Sequence, residues 1–124
     1  MKFSFDFDGT LLDSKFLQSY CQQMLQSNID VYIITRRLDL KEGEKFGINE
    51  AKEVYELAKI LGIKKENIYF TNRAYKYDTV KKLDIDCHID DDYIDVSNIR
   101  TLSKSKCIHF IENEEWEKEI KIFW

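Results

Sequence analysis

The sequence contains no proline and only four glycines among 124 residues. Collagen-like, proline-rich and glycine/serine-linker chains are excluded, because each depends on one of these two residue types. No apolar run reaches the roughly 20 residues that a membrane-spanning helix needs. The N-terminal stretch carries Asp6 and Asp8 where a signal peptide has its apolar core, so neither secretion nor membrane association is expected.

Cysteine and positive charge are also scarce. The three cysteines, Cys21, Cys87 and Cys107, are odd in number, far apart and without metal-binding spacing. They predict buried, reduced thiols in a cytoplasmic protein. Nineteen basic residues against 23 acidic ones give a net charge of −4. A general nucleic-acid-binding surface needs a basic excess, which leaves only a local basic patch compatible with the sequence.

What the sequence does contain is enough apolar material for one core. Hydrophobic residues make up 44% of the chain, and its length is typical of one domain, so we expect a single domain over residues 1–124. Apolar residues alternate at residues 2–7, as in a strand, and recur at helical spacing from Ser14 to Ser27. The predicted strands are 2–7, 31–34, 67–70, 87–89 and 106–111, and the predicted helices are 14–27, 49–62 and 75–84. Residues 36–47 are predicted as a loop or flap, and residues 114–124 as either helix or strand.

Strands that alternate with helices predict an α/β fold. We expect a Rossmann-like domain with a mostly parallel sheet of about five strands, flanked by helices. Ligands of such folds bind beyond the carboxyl ends of the strands. Polar side chains follow the predicted strands at Asp6, Asp8, Thr35, Thr71, Asn72, Arg73, Asp90 and Asp91.

The stretch FDFDGTLL, residues 5–12, resembles the first motif of the haloacid dehalogenase-like superfamily, in which DxDGT follows a strand. Thr35 resembles the second motif, Lys76 the third and the pair Asp90-Asp91 the fourth. The resemblance extends from Phe3 to about Asp95. The sequence HIDDD at residues 88–92 is similar to compact phage and bacterial nucleotidase-like members, and no segment is long enough for the cap domain of larger members.

The resemblance implies a Mg²⁺-dependent phosphomonoester hydrolase that works through an aspartyl-phosphate. Asp6 would be the nucleophile, and Asp8 would be the general acid and base. Gly9, Thr35 and Lys76 would bind the phosphoryl group. Mg²⁺ would be bound by Asp6, the backbone carbonyl of Asp8, and Asp90 and Asp91.

Several assignments stay open at this point. Lys81 and Lys82 compete with Lys76 for the third motif. Asp90, Asp91 and Asp92 cannot all bind the metal well, and one of these acids is a candidate cap for the next segment. Asp95 is either a further metal ligand or an exposed loop acid. Arg37 is either surface charge or a contact to a second phosphate of the substrate. His88 and His109 are expected to be packed, without a catalytic role.

A domain without a cap would leave the site open. The substrate would be a phosphorylated small molecule, a nucleotide or a polynucleotide end, and a partner subunit of an oligomer could serve as the lid. The alternative is a non-catalytic or regulatory domain that binds a metal or a partner. Binding of Mg²⁺ without turnover would favour that alternative.

Overall fold

The computed structural model describes residues 1–110 and 117–120. Its centre is a parallel five-stranded sheet in the order β3-β2-β1-β4-β5, which confirms the predicted α/β fold class. Between β1 and β4 the order reverses, because β2 and β3 extend to one side of β1, and β4 and β5 to the other. The strands are β1 (Lys2–Phe5), β2 (Asp30–Thr35), β3 (Ile68–Phe70), β4 (Cys87–Asp90) and β5 (Lys106–His109).

Helices connect successive strands and cover both faces of the sheet. Ser14 begins the first of them, because its hydroxyl accepts a hydrogen bond from Leu17 N at 3.2 Å. Gly62, with φ of 92°, ends the third in the left-handed conformation that glycine favours. The helices are α1 (Lys15–Gln26), α2 (Leu40–Phe46), α3 (Ala51–Leu61), α4 (Tyr77–Leu83) and α5 (Tyr93–Leu102).

Two hydrophobic layers stabilise the fold, one on each face of the sheet. Helices α1 and α3 contribute Leu17, Met24 and Val54 to the layer that contains Phe3 and Phe5. Helices α4 and α5 contribute to the other layer, which contains Ile34, Val80, Val96 and Ile99. Cys21, Cys87 and Cys107 are buried free thiols, as predicted. Burial raises the pKa of Cys21 to about 12, so this thiol stays protonated at neutral pH.

The structure corrects the prediction of a loop at residues 36–47, because α2 lies within it. Asp39 begins this helix by accepting a hydrogen bond from Glu42 N at 2.7 Å, and Gly47 ends it with φ of 67°. The sequence concealed the helix because its residues are mostly charged, with a glycine at its centre. Helix α5 was also not predicted. Asp92 caps it, as one open alternative held, by accepting hydrogen bonds from Ile94 N and Asp95 N.

At the C-terminus, residues 117–120 are helical. The rest of the undecided 114–124 segment, and Ile111 of the predicted last strand, lie outside the described residues. Over 1–110 and 117–120, no helix combines the length and apolarity needed to cross a bilayer.

Candidate functional site

The polar residues that follow the strands meet at one edge of the sheet. Because β1 lies between β2 and β4, Asp6, Thr35 and Asp90 are brought side by side at the carboxyl ends of these strands. This is where the strand order reverses, the usual ligand-binding position in open α/β sheets. An open cleft of about 400 Å³ lies there, lined by Asp6, Asp8, Thr35, Arg36, Arg73, Lys76, Asp91 and Asp92.

Lys76 is the electrostatic centre of the site. Its Nζ lies 2.7 Å from Asp6 Oδ1, 2.7 Å from Asp90 Oδ2 and 3.5 Å from Asp95 Oδ2. Burial alone would lower the pKa of Lys76, but the charges of Asp6 and Asp90 outweigh burial and raise it. The side chain of Lys76 is therefore protonated at neutral pH. Lys82, one of the two competing lysines, instead pairs with Asp78 at the surface, so the geometry places Lys76 in the site.

The carboxylates around Lys76 differ in their affinity for protons. Burial, together with the charge of Asp90, raises the pKa of Asp6 to about 9. Burial also acts on Asp90, but its hydrogen bond to His88 and the charges of His88 and Lys76 hold the pKa of Asp90 well below its usual range. With no cation bound, Asp6 is protonated at neutral pH and Asp90 is ionised. A cation that binds Asp6 must therefore displace a proton.

Three carboxylates converge beside Lys76. Oxygen atoms of Asp6, Asp90 and Asp91 all lie within 4.8 Å of one another. Thr10 Oγ1 stabilises the arrangement by donating to Asp6 Oδ2 at 3.2 Å and to Asp91 Oδ1 at 3.3 Å. Hard carboxylate oxygens are the ligands that Mg²⁺ prefers, so the donor set fits the predicted metal.

Gly9 allows the turn after β1 to approach Asp91. It adopts φ of 72°, and a Cβ at this position would overlap Asp91 Oδ2 and lie 2.9 Å from Asp91 Cγ. Both the backbone conformation and the space therefore require glycine. The glycine predicted to approach phosphate is here the residue that makes room for a carboxylate.

We expect Gly9→Ala to weaken Mg²⁺ binding at least about ten-fold, because Asp91 must move away from the other two carboxylates. Gly47→Ala is the matched control, since Gly47 has a similar φ of 67° but open space around its α-carbon. Both variants should lose stability from backbone strain, while only Gly9→Ala should lose affinity in a calorimetric titration with Mg²⁺. Equal affinities would show that Asp91 does not bind the metal.

Asp8 is bound by a neighbouring arginine. Arg37 Nε donates to Asp8 Oδ2 at 2.9 Å and Arg37 Nη2 donates to Asp8 Oδ1 at 2.6 Å. These hydrogen bonds lower the pKa of Asp8, so it is ionised. With both carboxylate oxygens engaged, Asp8 has no proton to give in this arrangement. Its side chain is also outside the group of three converging carboxylates.

Arg37 itself is held on several sides, and a contact to a second phosphate would have to compete with these partners. Its Nη1 donates to the Glu50 carbonyl at 2.8 Å, its Nη2 lies 2.8 Å from Glu53 Oε1, and its Cζ lies 4.8 Å from the centroid of the Phe7 ring. The side chain is only 13% exposed. Arg37 therefore joins the turn after β1 to the start of α3.

His88 and Ser4 form a buried support behind the site that sequence reasoning only partly anticipated. His88 Nδ1 shares a hydrogen bond of 2.7 Å with Ser4 Oγ, and His88 Nε2 shares one of 2.8 Å with Asp90 Oδ2. His88 is thus packed and hydrogen-bonded, as predicted. The sequence signal for Ser4 was its inward position in the alternating first strand, opposite the phenylalanine face.

Asp95 lies inside the site, although its sequence position did not indicate this. It is fully buried, and its Oδ1 accepts a hydrogen bond from Lys76 N at 3.0 Å. Among the described residues, its Oδ2 has no hydrogen-bond partner, although Lys76 Nζ and Arg36 Nη1 lie within 4 Å. The geometry makes Asp95 a support for Lys76.

Comparisons with known proteins define the class of fold. No known family model matches the chain, and no curated protein matches it. A solved structure described as a universal stress protein in complex with cAMP has a similar fold, with a TM-score of 0.52 over 91% of this chain and 98% of that chain. The two sequences are 13% identical, so the similarity shows a shared Rossmann-like fold alone.

These comparisons correct the family assignment made from the motifs. They contradict membership in the haloacid dehalogenase-like superfamily, because no family model matches and the similar structure is a universal stress protein. The phosphomonoester hydrolase with an aspartyl-phosphate intermediate rested on that membership, and it is withdrawn with it. The observed site geometry does not depend on the family assignment, and its function has to be inferred from the geometry itself. The residues concerned are Asp6, Thr35, Lys76, Asp90 and Asp91.

Proposed function

We propose that the chain is a regulatory binding domain that takes up Mg²⁺ and a phosphate-bearing nucleotide at the carboxyl edge of its sheet. The observation that carries the proposal is the convergence of Asp6, Asp90 and Asp91 within 4.8 Å beside the buried Lys76. The similar universal stress protein was solved with cAMP, so a nucleotide is compatible with this fold. The buried reduced thiols support a cytoplasmic location.

The charge of the cleft supports an order of binding. Four carboxylates line it against three cations, Arg36, Arg73 and Lys76. With Asp6 protonated in the cation-free site, an anion would meet no net positive charge in this cleft, and one Mg²⁺ ion that displaces this proton would add positive charge. Mg²⁺, if bound by the three carboxylates, would supply a Lewis-acid contact for a phosphate oxygen. Phosphate affinity should therefore depend on Mg²⁺.

Two features favour binding over turnover. Both oxygens of the Asp8 carboxylate accept hydrogen bonds from Arg37 and its pKa is lowered, so this group has no proton to donate. Asp6 is engaged as well, because its Oδ1 lies 2.7 Å from Lys76 Nζ. The site has the charges to hold a phosphate group, and its acids are engaged with protein partners.

Isothermal titration calorimetry tests the proposal. We expect Mg²⁺ to bind with release of a proton at pH 7, because the pKa of Asp6 is raised to about 9, and the measured heat will then vary with the ionisation enthalpy of the buffer. Inorganic phosphate and AMP should bind to the Mg²⁺-loaded protein and fail to bind in EDTA.

Two single-carboxylate variants make the experiment specific. Asp91→Asn removes an exposed candidate ligand and should weaken Mg²⁺ binding by at least about ten-fold. Asp78→Asn removes a surface carboxylate that pairs with Lys82 and should change nothing. Equal Mg²⁺ affinity in the two variants, or steady release of inorganic phosphate from nucleotides by the wild type, would contradict a regulatory binding role.

A further inference from the structure

Two exposed tyrosines are sequence neighbours of residues that line the cleft. Tyr75 directly precedes Lys76, and Tyr93 directly follows Asp92, so each is next to a residue that lines the cleft. Tyr75 is 46% exposed, and the Cζ of Arg36 lies 5.1 Å from the centroid of its ring. A guanidinium group thus lies over the face of an aromatic ring at the rim of the site.

Arg36 is fixed in this position by acids. Its Nη1 lies 3.3 Å from Asp92 Oδ2 and 3.9 Å from Asp95 Oδ2. Because Arg36 also lines the cleft, it connects the Tyr75 ring with the space where the phosphate is proposed to bind. Arg36 and Tyr75 together form a preorganised pair of flat groups, which we call the Arg36–Tyr75 stack.

The composition of the cleft shows which part of a ligand this stack can accept. Every residue that lines the cleft has an ionisable side chain apart from Thr35. Such walls suit a phosphate and a metal ion, and the flat groups among them are the guanidinium groups of Arg36 and Arg73, of which Arg73 is paired with Glu50. A base attached to that phosphate would find its nearest flat partner at the rim, where aromatic rings and guanidinium planes are the usual stacking surfaces for bases.

We propose that the Arg36–Tyr75 stack is a base-binding subsite, so that the ligand is recognised as a nucleotide and not as a phosphate ester in general. The inference rests on the proposed function, because the phosphate must lie in the cleft for the base to reach the stack. The same chemistry is offered by a free mononucleotide and by the phosphorylated end of a single strand.

The test compares AMP, ribose 5-phosphate and inorganic phosphate on the Mg²⁺-loaded protein by calorimetry. AMP should bind about ten-fold more tightly than ribose 5-phosphate, the contribution expected of one stacked base. Tyr75→Ala should abolish that preference and leave the affinity for ribose 5-phosphate unchanged, while Tyr75→Phe should retain it. Tyr93→Ala is the matched control and should behave as the wild type, because its ring is more exposed and no guanidinium of residues 1–110 and 117–120 lies over it.

The outcomes separate this inference from the proposal beneath it. If ribose 5-phosphate binds in Mg²⁺ as tightly as AMP, the base subsite is wrong and the binding function stands. If none of the three ligands binds, the base subsite and the proposed binding function are both wrong. A preference that survives Tyr75→Ala but disappears in Tyr93→Ala also overturns the assignment.

A second arm distinguishes the two sources of the nucleotide. A short single strand with a terminal phosphate is compared with the mononucleotide of the same base. Tighter binding of the strand, with a steep loss of affinity as salt is added, identifies the polynucleotide end. Equal affinity identifies the free nucleotide. Either result is consistent with stacking on Tyr75, provided that Tyr75→Ala weakens it.

Discussion

Replacing Lys76 by methionine should destabilise the metal-free protein by about 3–5 kcal/mol, because it leaves buried carboxylates without their cation. Lys76 Nζ lies within 3.5 Å of Asp6, Asp90 and Asp95, and the two last side chains are fully buried. At pH 7 the raised pKa of Asp6 allows it to hold a proton, so the charge left uncompensated lies mainly on Asp90, whose pKa is lowered. Urea denaturation in EDTA measures the loss.

Addition of Mg²⁺ should restore part of the stability of Lys76→Met, because a ligand that binds only the folded state stabilises that state. Lys82→Met is the control. Lys82 is exposed and pairs with Asp78 at the surface, so its loss should change the free energy of unfolding by no more than about 0.5 kcal/mol. If the two variants unfold at the same urea concentration in EDTA, Lys76 is not the electrostatic centre of the fold.

The sequence predicted the sheet well because its strands have local signals. Alternation at Phe3 and Phe5 and the β-branched run at Val31–Ile34 are visible in short windows, and both segments are strands. Helices α2 and α5 have weaker patterns. Their starts depend on Asp39 and Asp92 as caps, and an isolated aspartate in a polar stretch is equally typical of a turn.

The site residues that directly follow a strand could be predicted from the sequence, whereas contacts between loops that are distant in sequence could not. The rule that ligands bind beyond strand ends predicts from the sequence alone that Asp6, Thr35 and Asp90 lie together. It could not show that Arg37 binds Asp8, because this contact spans 29 residues and depends on how two loops fold over each other. It also could not exclude the family assignment, since a short motif fixes local chemistry and not ancestry.

Replacing Asp6 by asparagine should abolish Mg²⁺ binding and at the same time stabilise the metal-free protein. Asp6 is buried, and both burial and the charge of Asp90 act against its ionised form. An asparagine keeps the shape and is neutral without taking up a proton on folding, while Lys76 retains its contact with Asp90 at 2.7 Å. We expect a gain of about 1–2 kcal/mol in EDTA near pH 8, the usual sign for a residue kept for binding at the expense of stability.

The gain should depend on pH with a definite sign. The pKa of Asp6 rises from 3.8 to about 9 on folding, so between these values the folded chain holds a proton that the unfolded chain has released. The contribution of Asp6 to stability is therefore complete below about pH 4 and is lost as the pH rises towards 9. The advantage of Asp6→Asn over the wild type should accordingly increase from pH 5 to pH 9.

Asp8→Asn provides the opposite case within the same turn. Arg37 lowers the pKa of Asp8, so the contribution of Asp8 is present above its ordinary pKa and is lost on acidification. Asp8→Asn should therefore be less stable than the wild type at neutral pH, with the difference shrinking as the pH falls. Urea midpoints of both variants across this range decide the matter. Parallel pH profiles would mean that Asp6 and Asp8 share one environment, and the division between a metal-binding acid and an arginine-bound acid would then be wrong.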